Sequence, residues 1–425
     1  MTDILYIKNA SELITVKGYS QQPAKKEEMN EIGIIENGSV LTKDGKIFAV
    51  GKDEELRKTY RELINEAEVI DATNKIVTPG LIDPHTHIVY AGTRENEYVM
   101  RLEGKKYMEI MNAGGGIHAT TRATQRASFE QIYDESKARL DKMLLHGITT
   151  IEAKSGYGLT LEHELKQLEV AKQLNEDHHI DLVSTFMGAH AIPLEYKDDP
   201  EKFVQIVIDE MLPIVAERKL AHFNDVFCEK DVFTPEQSER ILEAGKRYGL
   251  KPKIHADEIV SYGGAEIAAK VNAVSADHLL KASDRGIRMM AENDVIGVLL
   301  PGTAFFLMAE YADARKMIDA GVVVALSTDA NPGSSPTLSL QFIMNLGCLK
   351  MEMTPKEVIT ATTINAAHAI EAAHRIGSIE VGKAADLTIF HVKNHQMLSY
   401  QYGMNHVDTV IKNGKVVVAD RNIVA

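Results

Sequence analysis

An apolar run ends at Asp83-Pro84 and is followed at once by His85-Thr86-His87, with Arg94 a few residues on (GLIDPHTHIVYAGTRE, Gly80–Glu95). Side chains at i and i+2 of a strand share a face, and at about 3.3 Å rise per residue their Cα atoms lie roughly 7 Å apart. Two imidazoles so placed can converge on one ion at the ~2.0–2.1 Å length of a Zn–N bond. Alone, the pair reads equally well as two polar residues at a strand end. His255, after KPKI, and Asp329, after VVVALST, offer the remaining donors of a four-ligand set. Asp329 also precedes Ala-Asn-Pro-Gly, where an acid often makes an Asx-turn, but beside three converging histidines it fits better as a ligand.

The elements that must position these residues follow from texture. From Gly80 onward, short apolar runs alternate with amphipathic stretches of helical length. The runs are LIDPHTHIV, ITTIEAKSGYG, LVSTFMGAH, FNDVFCE, KPKIHADE, AVSADHL, VIGVLLPG and VVVALSTDANPG. SFEQIYDESKARLDKMLLHG and TPEQSERILEAGKRYG are typical of the stretches between, the second opening on Thr234 as cap with Gln237 at the capping-box position. Eight strand–helix units over ~250 residues predict an α/β fold, a (β/α)8 TIM-type barrel over 77–377. A doubly wound sheet is the alternative, and the dinucleotide fingerprint is missing. Residues 1–76 and 378–425 carry β texture, with turns at Asp44-Gly45 and Asn413-Gly414. They are expected to form one composite β-sandwich domain. YSQQPAKKEEMNE, among the β runs of the first segment, reads as an exposed loop.

In such a barrel the chemistry sits at the C-terminal ends of the strands. Reading those ends gives His85 and His87, Glu152 and Lys154, His190, Glu229, His255 with Glu258, His278, and Asp329. Four of the eight runs end in or beside a histidine, a placement that scattered surface histidines would not favour.

Bulk composition excludes other classes. Sixty-one acids against forty-seven Lys and Arg leave a net charge of −14, which argues against a polyanionic partner such as nucleic acid. Cys228 and Cys348 form no CxxC pair, so reduced cytosolic thiols are expected rather than a disulfide framework. The N-terminus has no basic region before an apolar stretch, and no run is long enough to span a bilayer. A cytoplasmic protein without a membrane partner is the expectation.

LIDPHTHIVYAGTRE, KSGYGL, STFMGAHAIP, KIHADE, VSADHL and STDANPGSSPT together resemble the imidazolonepropionase family of the metal-dependent amidohydrolase superfamily. The motifs run from about residue 75 to 340, and the flanking β segments fit as well. The resemblance implies hydrolysis of 4-imidazolone-5-propanoate to N-formimidoyl-L-glutamate in histidine degradation, with one Zn2+ or Fe ion per chain and a homodimeric assembly. Motif by motif, His85, His87, His255 and Asp329 match the metal ligands. Arg94, Tyr157 and His190 match residues that hold the substrate, Glu258 and His278 those contacting the reacting ring, and Asn331, Gly333 and Ser334 a product-contacting loop.

Physical chemistry agrees. A propionate needs a local cation in an acidic protein, and Arg94 offers a planar fork with the Tyr157 hydroxyl beside it. Glu258, His278 and Asp329 are the candidates to stabilise an oxyanion and to carry a proton to the leaving nitrogen. Many relatives hold two ions through a carboxylated lysine on the fourth strand; here that strand is FNDVFCE, and Lys154 stands on the second. A deaminase acting on a nucleobase or a formimidoyl-glutamate-like compound is the alternative, and a non-catalytic scaffold the more distant one. AGGGIHATTRAT lacks the spacing of a phosphate loop and reads as a loop near the site. The methionines of MEIMN and IRMMAEN read as packing.

Overall fold

Residues 3–105, 109 and 114–424 are described in the computed structural model. β-branched runs at the N-terminus form β1 (Ile4–Ile14), β2 (Ile34–Lys43), β3 (Lys46–Lys52), β4 (Glu68–Asp71) and β5 (Ile76–Pro79). Asp44 and Gly45 both take positive φ (49° and 79°), the two-residue turn that matches the twist of a hairpin, and they fold β3 back on β2. The other predicted turn, Asn413-Gly414, does the same at the far end of the chain (φ 48° and 75°).

The eight apolar runs after Gly80 become β6 (Leu81–Thr86), β7 (Ile148–Lys154), β8 (Asp181–Ala189), β9 (Phe223–Cys228), β10 (Lys251–Ala256), β11 (Ser275–His278), β12 (Ile296–Leu299) and β13 (Val324–Leu326). They hydrogen-bond in chain order, all parallel. The ring closes where the end of β6 meets the segment after β13. Thr86 bridges Ala330, His87 N–H donates to Ala330 O (3.0 Å), and Asp329 N–H donates to His85 O (3.1 Å). Closure of the barrel therefore brings two predicted ligand segments side by side. Helices cover the outside, among them Phe129–Leu145, capped by Ser128, and Pro235–Arg247. The second starts with the expected reciprocal cap, Thr234 Oγ1 accepting from Gln237 N and Gln237 Oε1 accepting from Thr234 N.

The C-terminal strands β14 (Leu387–Phe390), β15 (Val407–Lys412), β16 (Lys415–Ala419) and β17 (Asn422–Ile423) join β1–β5 in a second sheet. Leu13, Val40, Val77, Leu387 and Ile411 share one core within it, so the sheet folds over itself as a small sandwich. Gly80 alone separates β5 from β6. A Cβ there would stand 2.3 Å from Thr149 Oγ1, so only glycine lets the two units approach this closely.

Three segments depart from the sequence expectation. The N-terminal β region also holds two short helices, Asp53–Thr59 and Arg61–Asn65, with Leu56 packed on Ile4 and Tyr6. The polar stretch expected as an exposed loop contains a 3-10 turn, Lys26–Asn30, with Met29 fully buried. Asn365 anchors it by hydrogen bonds to the backbone of Ala24. AGGGIHATTRAT, expected as a loop, forms a helix over Ile117–Arg126, while its Ala113 lies outside the described residues. In the expected packing methionines, Met290 is buried, whereas MEIMN lies outside the described residues save Glu109. No helix among the described residues is long and apolar enough to cross a membrane.

Candidate metal centre and active-site cleft

His85 lies near the end of β6 and His87 just after it, His255 lies near the end of β10, His278 ends β11, and Asp329 follows β13. The barrel aims all five at one point. The Nε2 atoms of His87 and His255 are 3.3 Å apart, and Asp329 Oδ1 lies 3.5 Å from His85 Nε2 and 3.8 Å from His87 Nε2. One donor atom from each of His85, His87 and His255 falls within 4.8 Å of the others, and so does one from each of His85, His278 and Asp329. His85 Nε2 is buried without a hydrogen-bond partner. An orphaned buried lone pair among converging imidazoles and a carboxylate is the donor set of a divalent cation, and these residues fit one.

The imidazoles are held in the form a metal takes. Burial, helped by Lys154 and the neighbouring rings, keeps His85 far below its ordinary pKa, and burial with the surrounding histidines does the same for His87 and His278. His85 Nδ1–H donates to Asp277 Oδ2 (2.6 Å) and His255 Nδ1–H to Asp225 (3.1 Å), which leaves both Nε2 lone pairs facing the centre. Thr303 Oγ1 donates to Asp329 Oδ2 (2.5 Å) and fixes that carboxylate. Two of these residues stand in the left-handed region, His278 at φ 75° and Asp329 at φ 51°, backbone strain of about 1–3 kcal/mol each that the fold sustains at the site.

A cleft of about 260 Å3 opens above, sized for a small metabolite. His87, Arg94, Tyr157, His190, His255, Glu258, His278, Asp329, Asn331 and Ser334 line it, together with Gly116, Ile117 and Phe227. His85 lies below the floor, and Gly333 stands behind Arg94, where a Cβ would collide with Nη1 at 1.9 Å. Burial pushes the Glu258 carboxyl up to about 8, with the Asp329 and Glu229 charges adding to it, and its Oε2 is 3.7 Å from His278 Nε2. Burial also raises Tyr157, and it lowers His190 to about 3; the His190 ring stacks on His87 with centroids 4.8 Å apart.

Three sequence readings are refined here. The Arg94 fork is not wholly open: Nε and Nη2 donate to the two oxygens of Glu97 (2.9 and 2.7 Å), which also accepts from Gly116 N. The Asx-turn after β13 is made by Asn331, not Asp329; Asn331 Oδ1 accepts from Gly333 N and Ser334 N (2.8 Å each). Glu229, noted at a strand end, instead holds the next loop by accepting from Ile259 N (2.8 Å).

Sequence reasoning missed the layer below, Asp225, Asp277 and Lys253, and the Glu97 partner of Arg94 beside the cleft, and it left Lys154 and Glu152 without a role. The available signal was charged residues inside apolar β runs, since such side chains are almost never fully buried unless paired.

A closed parallel barrel with imidazole and carboxylate donors at its strand ends, beside a sandwich of terminal strands, has the architecture of a metal-dependent hydrolase. The amidohydrolase family model matches residues 76–417. An imidazolonepropionase of Geobacillus sp. (strain WCH70) is 69% identical over 97% of this chain and 98% of its own length. Its counterpart in Brevibacillus brevis is 67% identical over 99% of both chains. The chain belongs to the amidohydrolase family and, within it, to the imidazolonepropionases. Among solved structures, an adenosine deaminase from Xanthomonas campestris with bound zinc superposes with a TM-score of 0.71 at 18% identity, covering 99% of this chain and 94% of that one, a likeness of fold.

Proposed function

We infer that this chain opens the ring of 4-imidazolone-5-propanoate by hydrolysis, giving N-formimidoyl-L-glutamate in histidine degradation. The observation that carries this is the joining, in one small cleft, of the orphaned His/Asp donor set to Arg94 and Tyr157, in a chain 69% identical to an imidazolonepropionase. His85, His87, His255 and Asp329 would hold the ion, Zn2+ or Fe. When bound, such an ion supplies a Lewis acid for the ring carbonyl and lowers the pKa of water towards ~7.

The chain's own residues do the rest. Arg94, oriented by Glu97, meets the propionate with charge-assisted hydrogen bonds, and Tyr157, whose hydroxyl burial keeps protonated, donates a second. His190, neutral and stacked on His87, fixes the substrate side of the ligand ring. The loop Asn331–Ser334, braced by its own Asx-turn, closes the product side. His278 faces the developing oxyanion as a donor. Water adds to the ring carbon with its proton passing to Asp329, the C–N bond breaks, and Glu258, neutral near pH 7, delivers a proton to the leaving nitrogen, the proton held by Asp329 then restoring the balance. Since β9 carries no lysine and the Lys154 ammonium lies just beneath the histidines, one ion per chain is the consistent stoichiometry. We also take the protein as a cytoplasmic homodimer.

Enzymatically generated imidazolone propionate is expected to be converted to formimidoyl-glutamate, with loss of turnover on chelation and one metal equivalent on analysis. Deamination of guanine or cytosine with no turnover of imidazolone propionate would overturn the assignment. Arg94→Met is expected to raise KM by about 10–100-fold, the loss of charged hydrogen bonds to an anion, with a smaller effect on kcat. Steady-state kinetics in which KM is unchanged would remove Arg94 from substrate binding.

A further inference from the structure

We propose that Lys154 is the positioning residue of the metal centre: from the layer below, its ammonium clamps Asp225 and Asp277, and these carboxylates hold His255 and His85 with their Nε2 lone pairs converging. The proposal rests on the ligand assignment above.

Lys154 ends β7 and is fully buried. Its Nζ donates to Asp225 Oδ2 (2.7 Å) and Glu152 Oε1 (2.8 Å), and lies 3.4 Å from Asp277 Oδ2. One cation thus ties together acids from the second, fourth and sixth barrel strands. Asp225 accepts both the backbone N–H of His255 (3.2 Å) and its ring Nδ1–H (3.1 Å). Asp277 accepts His85 Nδ1–H (2.6 Å) on one oxygen and the Ser275 hydroxyl (2.6 Å) on the other. An imidazole giving its Nδ1–H to a carboxylate carries its lone pair on Nε2, the atom each ring turns towards the centre.

Burying this many charges is costly, and an apolar layer of equal volume would serve stability as well or better. What the charges add is orientation. Without the ammonium, Asp225 and Asp277 would face one another as like charges in a dry core and turn apart, carrying the imidazoles with them. Lys253 does not substitute for it. Its Nζ meets Glu152 Oε2 (2.5 Å) and the carbonyls of Pro84 and Ala369 (3.3 Å each), and neither aspartate. Counted formally, the three acids against two lysines leave this layer one negative charge, which draws a cation into the layer above.

The test is Zn2+ affinity, measured by competition with a chromogenic chelator on the full chain. Lys154→Met is expected to bind Zn2+ about 10–100-fold more weakly, as loss of an outer-shell partner does, with its circular dichroism unchanged. Lys253→Met, which disturbs the same buried layer but touches neither aspartate, is expected to lose less. A purely structural role would lower the melting temperature of both variants and leave both affinities at the wild-type value. That result, or an equal loss in the two, overturns the proposal. Should Lys154→Met not fold, Lys154→Gln, which keeps a neutral donor, takes its place with the same expected direction, and wild-type Zn2+ affinity there overturns the proposal. His255→Ala separates the two levels of inference. If it binds Zn2+ like wild type, the ligand assignment fails; if it loses Zn2+ while the Lys154 variant does not, only the positioning role fails.

Discussion

His255→Ala is expected to lose bound metal and to lower kcat/KM by more than about 10⁴-fold, because without the ion the attacking water returns from a pKa near ~7 towards ~15.7. His255 is the most informative of the four proposed ligands to remove. It is the one that faces His87 across 3.3 Å, and its Nδ1–H satisfies Asp225, a carboxylate with no exposure to solvent. The variant therefore strips a ligand and leaves a buried acid with one partner fewer, so a lower melting temperature should accompany the lost activity. Metal analysis and kinetics on the same preparation decide the matter. A full equivalent of tightly held metal with near wild-type turnover would exclude His255 as a ligand.

The second large effect is at Glu258. Glu258→Gln keeps the shape and removes the transferable proton, and kcat is expected to fall by about 10²–10⁴-fold. The sign of the pH dependence follows from the raised pKa. Burial, with Asp329 and Glu229 adding, lifts the carboxyl from its ordinary 4.5 to about 8, so it is protonated at neutral pH. If it donates the proton to the leaving nitrogen, wild-type kcat declines on the alkaline side as the carboxyl ionises, and the glutamine variant lacks that limb. Stability moves with the same group. A carboxyl whose folded pKa lies above its unfolded one favours the folded state at low pH, and this contribution is lost as pH rises through the folded value. In the metal-free protein, Glu258→Gln should accordingly gain in melting temperature relative to wild type between about pH 4.5 and 8. Near wild-type turnover of the glutamine variant at every pH would end the proton-carrier role.

Much of this site could be read along the chain because its parts are local. His85-Thr86-His87 declares itself by spacing, and His255, His278 and Asp329 by standing at the ends of apolar runs of strand length. Arg94 could be placed near the site but not described, since its partner Glu97 is one of several nearby acids and only the fold seats both oxygens on the fork. The helices over 53–65 were hidden by the β texture around them. Asp329 and Asn331 are both good turn formers, and only barrel closure turns Asp329 inward and leaves the Asx-turn to Asn331.

What the sequence alone determined is the alternation of strand and helix, the two hairpin turns, and the identities of the donors at the strand ends. These depend on periodicities and residue preferences acting over a few residues. Only the tertiary structure decided how the ring closes through Thr86 and Ala330, and which buried charges compensate one another. His85 and Asp277 are 192 residues apart, and Lys154 and Asp225 are 71. No local preference pairs them. The cost of burying a charge is settled by whatever partner the closed barrel places beside it, and that placement belongs to the whole fold.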